Sequence, residues 1–351
     1  MRSKSRHTPL RKHPHVWGIL WVTVTVILSL SVGRYPLHAA ELLRYLAAGD
    51  SGPTTDRCVS TAITVLRDIR VPRVLLSLAV GAALGVSGAV FQGLFRNPLV
   101  SPDILGVSAG ASFGAALAIV AGSAGRSPFT IELSSFCFGL LAVLLAYSIG
   151  KKAGEHSPTV MVLAGVVVSS VFTAAFSFLK YVADPYQELP AIVFWTMGGL
   201  YSAGWQHVVR TIPLVVVGTI AVYLLRWKLN LMAMGDEEAL SLGLDVPRYR
   251  ACDVTCATLI VTASVSATGT IGWVGLVVPH LGRMLVGPDH RVLIPFVTMI
   301  GAAFLTVTDT VARSIAAAEI PIGIVTSFVG APFLSYLLLM RKSGWWGERG
   351  N

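Results

Sequence analysis

Charged residues are scarce in this sequence of 351 residues. Asp, Glu, Lys and Arg make up 13% of the chain, whereas 54% of it is hydrophobic. Globular domains carry about 25% charged residues, so a soluble domain of this composition would lack the charges that normally cover a surface. The scarcity excludes an ordinary soluble protein and predicts a chain that lies mainly in a membrane.

Cysteines and metal-ligand patterns are also sparse. Four cysteines are present, and Cys58 stands alone in a polar loop, so no disulfide framework is predicted. Cys252 and Cys256 share a helix face, but two thiols without a neighbouring histidine make a poor metal site. Burial as small apolar side chains is the better interpretation. The eight histidines show no metal-ligand spacing. We therefore expect no metal site and no cofactor.

Catalytic and nucleotide-binding motifs are missing as well. A phosphate-binding loop of the form G-x-x-x-x-G-K-[ST] does not occur, because Gly150-Lys151-Lys152 lacks the upstream glycine and the following Ser or Thr. If ATP drives this protein, a separate polypeptide must hydrolyse it. The chain itself is not expected to be an enzyme.

Long apolar runs are abundant. A helix that spans a bilayer needs about 20 mainly apolar residues. Runs near that length lie at Val16–Val32, Val74–Phe95, Ile104–Gly125, Leu133–Gly150, Ser157–Leu179, Thr211–Leu225, Val292–Thr308 and Ile320–Met340. The first run exceeds the core of a signal peptide, so we expect it to be retained as the first transmembrane helix.

The run from Val254 to Gly282 is too long for one span. At 1.5 Å per residue it would reach about 43 Å, against a hydrocarbon core of about 30 Å. Glycines interrupt it, so we expect one helix ending near Thr268 and a shorter one over Ile271–Arg283. The shorter helix cannot span and should be buried in protein or line a cavity. The predicted fold is an all-α membrane protein with about ten transmembrane helices, some of them short and broken.

The positive charges indicate the orientation. Most of the 27 Lys and Arg residues lie in segments that a cytoplasmic N-terminus places inside, as the positive-inside rule requires. The net charge of +9 is therefore a topology signal and not a nucleic-acid-binding face. The predicted organisation is a cytoplasmic basic tail over residues 1–15, a single transmembrane domain over 16–342 and a cytoplasmic tail over 343–351.

The cytoplasmic stretch 229–250 is too long and too patterned for a simple connection. Acidic residues at 236–238 favour a helix start, and Gly243 favours a helix stop. Ala239 and Leu242 share one face of this predicted helix. Docking into a groove on a partner is one interpretation of the small apolar patch. An amphipathic helix that lies on the membrane without a partner explains it equally well.

Arginines crowd between residues 34 and 73, on the predicted outer side. Arg67, Arg70 and Arg73 recur every third residue, and Arg313 is expected to emerge on the same side. Snorkelling to lipid headgroups is one interpretation. Since positive charge outside opposes the topology rule, docking of an acidic partner is the other.

A weak internal repeat pairs two stretches of the chain. Gly81-Ala-Ala, Asn97-Pro and Gly110-Ala in the first correspond to Gly301-Ala-Ala, Ile320-Pro and Gly330-Ala in the second. The two stretches are predicted to cross the membrane in opposite directions, as in inverted-repeat transporters. With 34 glycines in the chain, coincidence is an equally good explanation.

Long motifs extend from about Ile69 to Arg341. They include Arg70-Val-Pro-Arg73, Gly81-Ala-Ala-Leu84, Arg96-Asn-Pro-Leu99, Ile104-Leu-Gly-Val-Ser108, Trp195-Thr-Met-Gly-Gly199, Gly235-Asp-Glu-Glu-Ala239, Gly272-Trp-Val-Gly-Leu-Val-Val-Pro-His280, Gly287-Pro-Asp-His-Arg291 and Glu319-Ile-Pro-Ile-Gly323. In these motifs the sequence closely resembles the permease family of ATP-binding-cassette (ABC) importers for iron-siderophore complexes, haem and cobalamin.

The resemblance implies the type II importer fold, with ten helices per subunit and a path between two permease subunits, identical or different. Two copies of a separate ATPase would dock from the cytoplasm, and a periplasmic or lipid-anchored binding protein would deliver the substrate. The site residues that it implies are Gly235, Glu237, Ala239, Leu242 and Gly243 for ATPase coupling, Ser157, Pro158 and Thr159 for the cytoplasmic gate, and Arg70, Arg73 and Arg313 for docking of the binding protein. Pro158 departs from the family, which has a small polar residue there.

The expected cargo is a ferric chelate carried across the bacterial inner membrane, with haem or cobalamin as the alternative within the family. A secondary transporter or channel is the alternative from another class. Such proteins usually place ionisable residues near the membrane midplane. Asp309 is the best candidate for one, yet Arg313 lies four residues on and is placed to pair with it.

Overall fold

The structure, a computed structural model, describes residues 13–33, 57–122, 127–153, 158–316 and 318–341. Within these ranges the regular structure is helical and contains no strand. The predicted tails lie outside the described residues, apart from residues 13–15 at the start of the first helix.

The described helices are, in chain order, α1 (Pro14–Ser31), α2 (Arg57–Thr64), α3 (Val71–Leu94), α4 (Val107–Val120), α5 (Pro128–Lys152), α6 (Pro158–Val182), α7 (Glu188–Thr196), α8 (Trp205–Met234), α9 (Asp236–Ser241), α10 (Val246–Thr268), α11 (Val274–Val286), α12 (His290–Ser314) and α13 (Ile322–Arg341). A π-helical turn over Val65–Arg70 joins α2 to α3, and a 3-10 helix over Pro102–Leu105 precedes α4.

The ten predicted apolar segments are all present as helices. Seven helical segments of the described chain are long and apolar enough to cross a membrane, with α2 and α3 forming one of them. Three shorter apolar helices, α4, α11 and α13, complete the set. The predicted all-helical membrane fold is therefore confirmed.

The long apolar run Val254–Gly282 forms two helices, as its length predicted. Helix α10 ends at Thr268, and Gly269 follows with a φ of +69°, a conformation that disfavours any residue with a side chain. Helix α11 has only 13 residues, and most of its first two turns are buried in the protein. The prediction of a short, buried helix after the break is confirmed.

Helices α3 and α12 cross in close contact and in opposite directions. Arg73 contacts Asp309 at one end of the crossing, and Ser77 Oγ lies 2.8 Å from Thr306 Oγ1. Gly81 meets Gly301 further along the two helices. A Cβ on Gly81 would collide with the carbonyl oxygen of Gly301. The predicted repeat thus places its two Gly-Ala-Ala segments against each other with opposite directions.

Two helical regions were missed from the sequence. Helix α7 is a nine-residue element in a part of the chain for which no helix was predicted. The chain before α3 is also helical from Arg57 onward, so the second spanning segment covers Thr61–Leu94 and not Val74–Phe95 alone. Both extensions lie outside the uncharged runs from which spanning helices were predicted.

Replacing Gly81 with Ala should destabilise the protein, because the added methyl group must force apart two helix backbones. Overpacking of this kind costs about 1–3 kcal/mol. Thermal unfolding of the detergent-solubilised protein measures the effect. Gly204→Ala is the control, since nothing lies within 4 Å of a Cβ built on Gly204. Equal melting temperatures for the two variants would show that the α3–α12 crossing is not tightly packed.

Candidate translocation face, coupling helix and outer charge cluster

Three open depressions adjoin one another on one face of the helix bundle. Their volumes are about 420, 670 and 550 Å³. The first shares Thr196, Thr270 and Gly272 with the second, and Asp103 and Thr173 with the third. We call this continuous surface the hydroxyl face, because its lining includes Ser108, Ser112, Ser169, Ser170, Thr173, Ser177, Thr196, Thr270 and Ser327.

Local hydrogen bonds explain how an apolar helix can carry these hydroxyl groups. Ser170 Oγ donates to the carbonyl of Val166 on the same helix at 2.8 Å. Ser327 Oγ donates in the same way to Gly323, at 2.7 Å. The hydroxyl protons of Ser170 and Ser327 therefore have partners without water, while their oxygen lone pairs stay available to a molecule in the depression. The face is therefore polar, but these two side chains do not require a hydrogen-bond acceptor on a molecule that passes over it.

A charge cluster that is largely buried lies at the Arg73 end of the α3–α12 crossing. Arg73 donates from Nε and Nη2 to Asp309, at 2.8–3.0 Å, and from Nη1 and Nη2 to Glu319, at 3.0–3.1 Å. Asp309 is 1% exposed and Arg73 is 8% exposed. This cluster joins α3, α12 and the segment before α13 by charge-assisted hydrogen bonds.

Two further arginines fix the end of α1. Arg70 Nη1 donates to the carbonyl oxygens of Leu30, at 2.5 Å, and Ser31, at 3.2 Å. Arg313 Nη2 donates to the carbonyl and hydroxyl oxygens of Ser29. The last carbonyls of a helix lack partners within it and carry partial negative charge, so guanidinium groups stabilise that end.

The outer arginines do not lie where the sequence analysis expected them. Arg70, Arg73 and Arg313 were expected to face outward, but each is buried, at 3%, 8% and 8% exposure. The expectation of exposure is wrong, because groups distant in sequence supply their partners. Their contact with a binding protein remains a prediction. Arg67, the third member of the series, is exposed.

The predicted pairing of Arg313 with Asp309 is confirmed. Arg313 Nε lies 3.7 Å from Asp309 Oδ2. With Arg73 on its other side, Asp309 is held by two guanidinium groups. A carboxylate in such contacts is poorly suited to shuttling ions, so the strongest residue-level argument for a secondary transporter is removed.

The predicted cytoplasmic helix is present as α9, between glycines of positive φ. Gly235 and Gly243 have φ values of +148° and +79°. Asp236 pairs with the buried Arg250 of α10, whose Nη2 lies 2.7 Å from Asp236 Oδ1. The connection between the long helices covers residues 235–245, which is shorter than the predicted 229–250 because α8 continues to Met234.

The exposed side of α9 differs from the predicted apolar patch. Ala239 is fully buried, so its predicted place in an exposed apolar patch is wrong, and its role in ATPase coupling remains a prediction. Leu242 is 61% exposed as expected, and Leu240 at 55% and Met234 at 64% join it. Glu237 is exposed beside them. Pairing of α9 with Arg250 turns Ala239 inward, and no spacing rule within the loop could have shown this.

The predicted gate residues are only partly described. Ser157 lies outside the described residues, and Pro158 is the first residue of α6. Thr159 follows it and is exposed. Near the start of α6, Met161 lies close to Gly150 of α5: a Cβ built on Gly150 would be 3.2 Å from Met161 Cγ. The gate function of the three residues remains a prediction.

Metal-ligand residues are dispersed in the described part of the chain. No group of three or more His, Cys, Asp or Glu side chains there is placed to hold a metal ion. Cys252 is exposed on the bundle surface, so its predicted burial is wrong, and Cys256 is half-buried. Cys137 is also exposed. His280 is buried in the middle of α11.

Comparison with known proteins adds a decisive observation. The FecCD transport family matches residues 21–340, almost the whole chain. The chain belongs to the FecCD transport family. It is therefore a multi-pass membrane protein and the permease of an ABC importer, as the sequence motifs predicted.

The relatives of this FecCD permease are named for chemically different substrates. It is 38% identical over 330 residues to the "Molybdate import system permease protein MolB" of Haemophilus influenzae, covering 94% of this chain and 96% of that one. It is 42% identical over 283 residues to the "Cobalamin import system permease protein BtuC" of Halobacterium salinarum, covering 80% and 75%. It is 37% identical over 284 residues to a "Probable iron chelatin transport system permease protein" of Helicobacter pylori, covering 81% and 85%.

A solved structure shares the permease fold across its length. "An inward-facing conformation of a putative metal-chelate type ABC transporter" superposes with a TM-score of 0.83 at 35% identity. The match covers 93% of this chain and 99% of that one. The arrangement of helices described above is therefore that of a FecCD-family permease.

Replacing Arg73 with Met should lower the free energy of unfolding of the permease strongly. The substitution leaves Asp309 buried without its bidentate partner, and breaking a buried pair in this way costs about 3–5 kcal/mol. Chemical denaturation in detergent micelles measures the loss. Arg67→Met removes an exposed arginine of the same series and should change stability little. Comparable stability for Arg73→Met and Arg67→Met would contradict the cluster's role.

Proposed function

We propose that this permease carries a ferric chelate across the bacterial inner membrane. It works beside a second permease subunit, identical or different, with the substrate path between them. Two copies of a separate ATPase hydrolyse ATP on the cytoplasmic side. A periplasmic or lipid-anchored binding protein delivers the chelate from outside.

The hydroxyl face is the observation that carries this proposal. Its depressions extend from Ser177 on α6 to Pro332 on α13, and their lining is mainly hydroxyl-bearing and small side chains. Among the described residues that line them, none is Lys or Arg. A bulky chelate presents many oxygen atoms and an apolar frame. Such a surface lets it pass without binding it tightly, as a transport path requires.

Molybdate is the second candidate, because a molybdate permease is a similar protein over nearly the whole chain. Molybdate is a small dianion, and recognition of oxyanions normally uses arginine, lysine or backbone N–H groups. The described lining of the hydroxyl face offers a carboxylate, Asp103, and no cationic side chain. This charge pattern favours the ferric chelate. Haem and cobalamin remain alternatives within the family.

The ATPase docks on α9 in this proposal. Met234, Leu240 and Leu242 expose apolar surface beside Glu237, and the Asp236–Arg250 pair ties that surface to α10. A movement of the ATPase would therefore be transmitted directly to a helix that crosses the membrane. Gly235 and Gly243 allow the sharp turns at both ends of α9, and Ala239 anchors it inside the permease.

The orientation follows from the charges at the helix ends. Lys151 and Lys152 end α5, and Arg248 lies at the start of α10, on the side that carries α9. Positive residues mark the cytoplasmic side, so the N-terminus is cytoplasmic. The binding protein then docks on the opposite surface. We propose that the buried Arg70, Arg73 and Arg313 hold this surface in shape, and that they reach acidic groups of the binding protein after rearrangement.

The transport assay uses the permease reconstituted in proteoliposomes with its ATPase and binding protein. Uptake of a ferric chelate, labelled with radioactive iron, should depend on ATP and on the binding protein. Molybdate, cobalamin and haemin are tested in parallel at equal concentration. We expect uptake of the ferric chelate to exceed that of molybdate by at least about tenfold, which corresponds to 1.4 kcal/mol of discrimination. ATP-dependent uptake of molybdate alone would overturn the proposal.

Replacing Gly243 should weaken association with the ATPase. A Cβ at Gly243 points into open space, so a side chain there would meet only a docked partner. Asn tolerates positive φ better than other side chains, and Gly243→Asn therefore separates steric contact from backbone strain. We expect both Gly243→Val and Gly243→Asn to reduce copurification of the ATPase and ATP-dependent uptake.

Gly122→Asn is the matched control for this experiment. Gly122 has a φ of +75° and equally open surroundings, but it lies between α4 and α5 on the outer side. The Gly122→Asn permease should copurify with the ATPase as the wild-type permease does. If Gly243→Asn behaves like Gly122→Asn, α9 does not contact the ATPase through this residue.

A further inference from the structure

Asp103 occupies a distinctive position on the hydroxyl face. It belongs to the 3-10 helix Pro102–Leu105, and its side chain is exposed where two of the depressions meet. Among the described residues that line the three depressions, it is the only one that carries charge. Every substrate that moves along this face therefore passes one fixed carboxylate.

The carboxylate is held on a rigid element. Ser108 Oγ donates a hydrogen bond to Asp103 Oδ1, and the N–H of Gly106 donates to the carbonyl of Asp103 at 2.8 Å. Pro102 and Leu105, on either side, are buried. The 3-10 helix also packs against α6, where a Cβ on Gly165 would collide with the carbonyl oxygen of Ile104. Asp103 thus cannot easily swing away from a passing molecule.

The consequence of this geometry is electrostatic. A carboxylate at a concave, partly dehydrated surface acts on charged groups more strongly than one in open water. It attracts a cationic substituent and repels an anionic one. The neighbouring serine and threonine side chains are neutral, so none of them adds a net charge to this face. Charge discrimination on this face therefore falls to Asp103.

We propose that Asp103 is a specificity-determining residue, which favours cationic and neutral ferric chelates over anionic ones during passage through the permease. The proposal rests on the proposed function. It concerns a step after delivery, so it is separate from the selection that the binding protein makes. The chemical class that it assigns is the ferric trihydroxamate, in which three singly charged hydroxamates neutralise Fe³⁺.

A matched series of substrates tests this inference. One linear ferric trihydroxamate core is used with a terminal ammonium group, with that amine acetylated and with it succinylated, so that the charge is +1, 0 or −1. Affinity of the binding protein for each chelate is measured separately, and uptake is measured with the binding protein saturated. Proteoliposomes contain the complete importer.

The wild-type importer should take up the three chelates in the order +1, 0, −1, with about a twofold to fivefold decrease at each step, as expected for a partly screened charge pair. Asp103→Asn keeps an acceptor for Ser108 and should bring the three rates within twofold of one another. Asp103→Glu should preserve the order. Asp184→Asn removes an exposed carboxylate outside the three depressions and should leave the order unchanged.

The possible failures are distinguishable. If the wild-type importer transports none of the three chelates but carries molybdate, the proposed function fails and this inference fails with it. If the wild-type importer transports them in the expected order and Asp103→Asn retains that order, the proposed function stands and Asp103 is not the discriminating residue. Equal wild-type rates for all three chelates would also overturn the inference.

Discussion

The antiparallel crossing of α3 and α12 is the constraint on which the rest of this permease depends. Gly81 and Gly301 let the two backbones touch, and the Arg73–Asp309 pair fixes the register at one end of the crossing. In a membrane, apolar side chains gain little by leaving lipid for protein, so close packing and hydrogen bonds must hold helices together. Small residues and a buried ion pair supply both at this crossing. Arg70 and Arg313 then bind the C-terminal end of α1 to this crossing.

The α3–α12 crossing positions two surfaces with different proposed roles, the hydroxyl face and α9. The 3-10 helix and α11 pack against α3 through Gly88 and Gly275, and this contact places Asp103 and the hydroxyl face beside the core. Near its N-terminal end, α10 carries the Arg250 that holds α9. Helix α10 itself packs on α3. The surface proposed for the substrate and the surface proposed for the ATPase are thus both built on the same buried helices.

Features set by chain length and local geometry could be predicted from the sequence. The break after Thr268 follows from the thickness of the bilayer, and the ends of α9 follow from Gly235 and Gly243. Burial could not be predicted for residues whose partners lie far along the chain. Arg73 is buried because Asp309 and Glu319 neutralise it, and Ala239 is buried because Arg250 turns α9 inward. The hydroxyl face was missed for the same reason, since its serines and threonines come from helices that only the fold brings together.

The central claim is that the hydroxyl face lines an aqueous substrate path and does not face lipid. Thr173 is exposed in the middle of this face, whereas Leu144 is exposed on the outer surface of α5. A single cysteine at each position, in a background without other cysteines, can be labelled in the assembled importer with a membrane-impermeant or a lipid-soluble thiol reagent. The account predicts that the impermeant reagent reaches position 173, with protection by the ferric chelate, and does not reach position 144. Labelling of position 173 by the lipid-soluble reagent alone would contradict it.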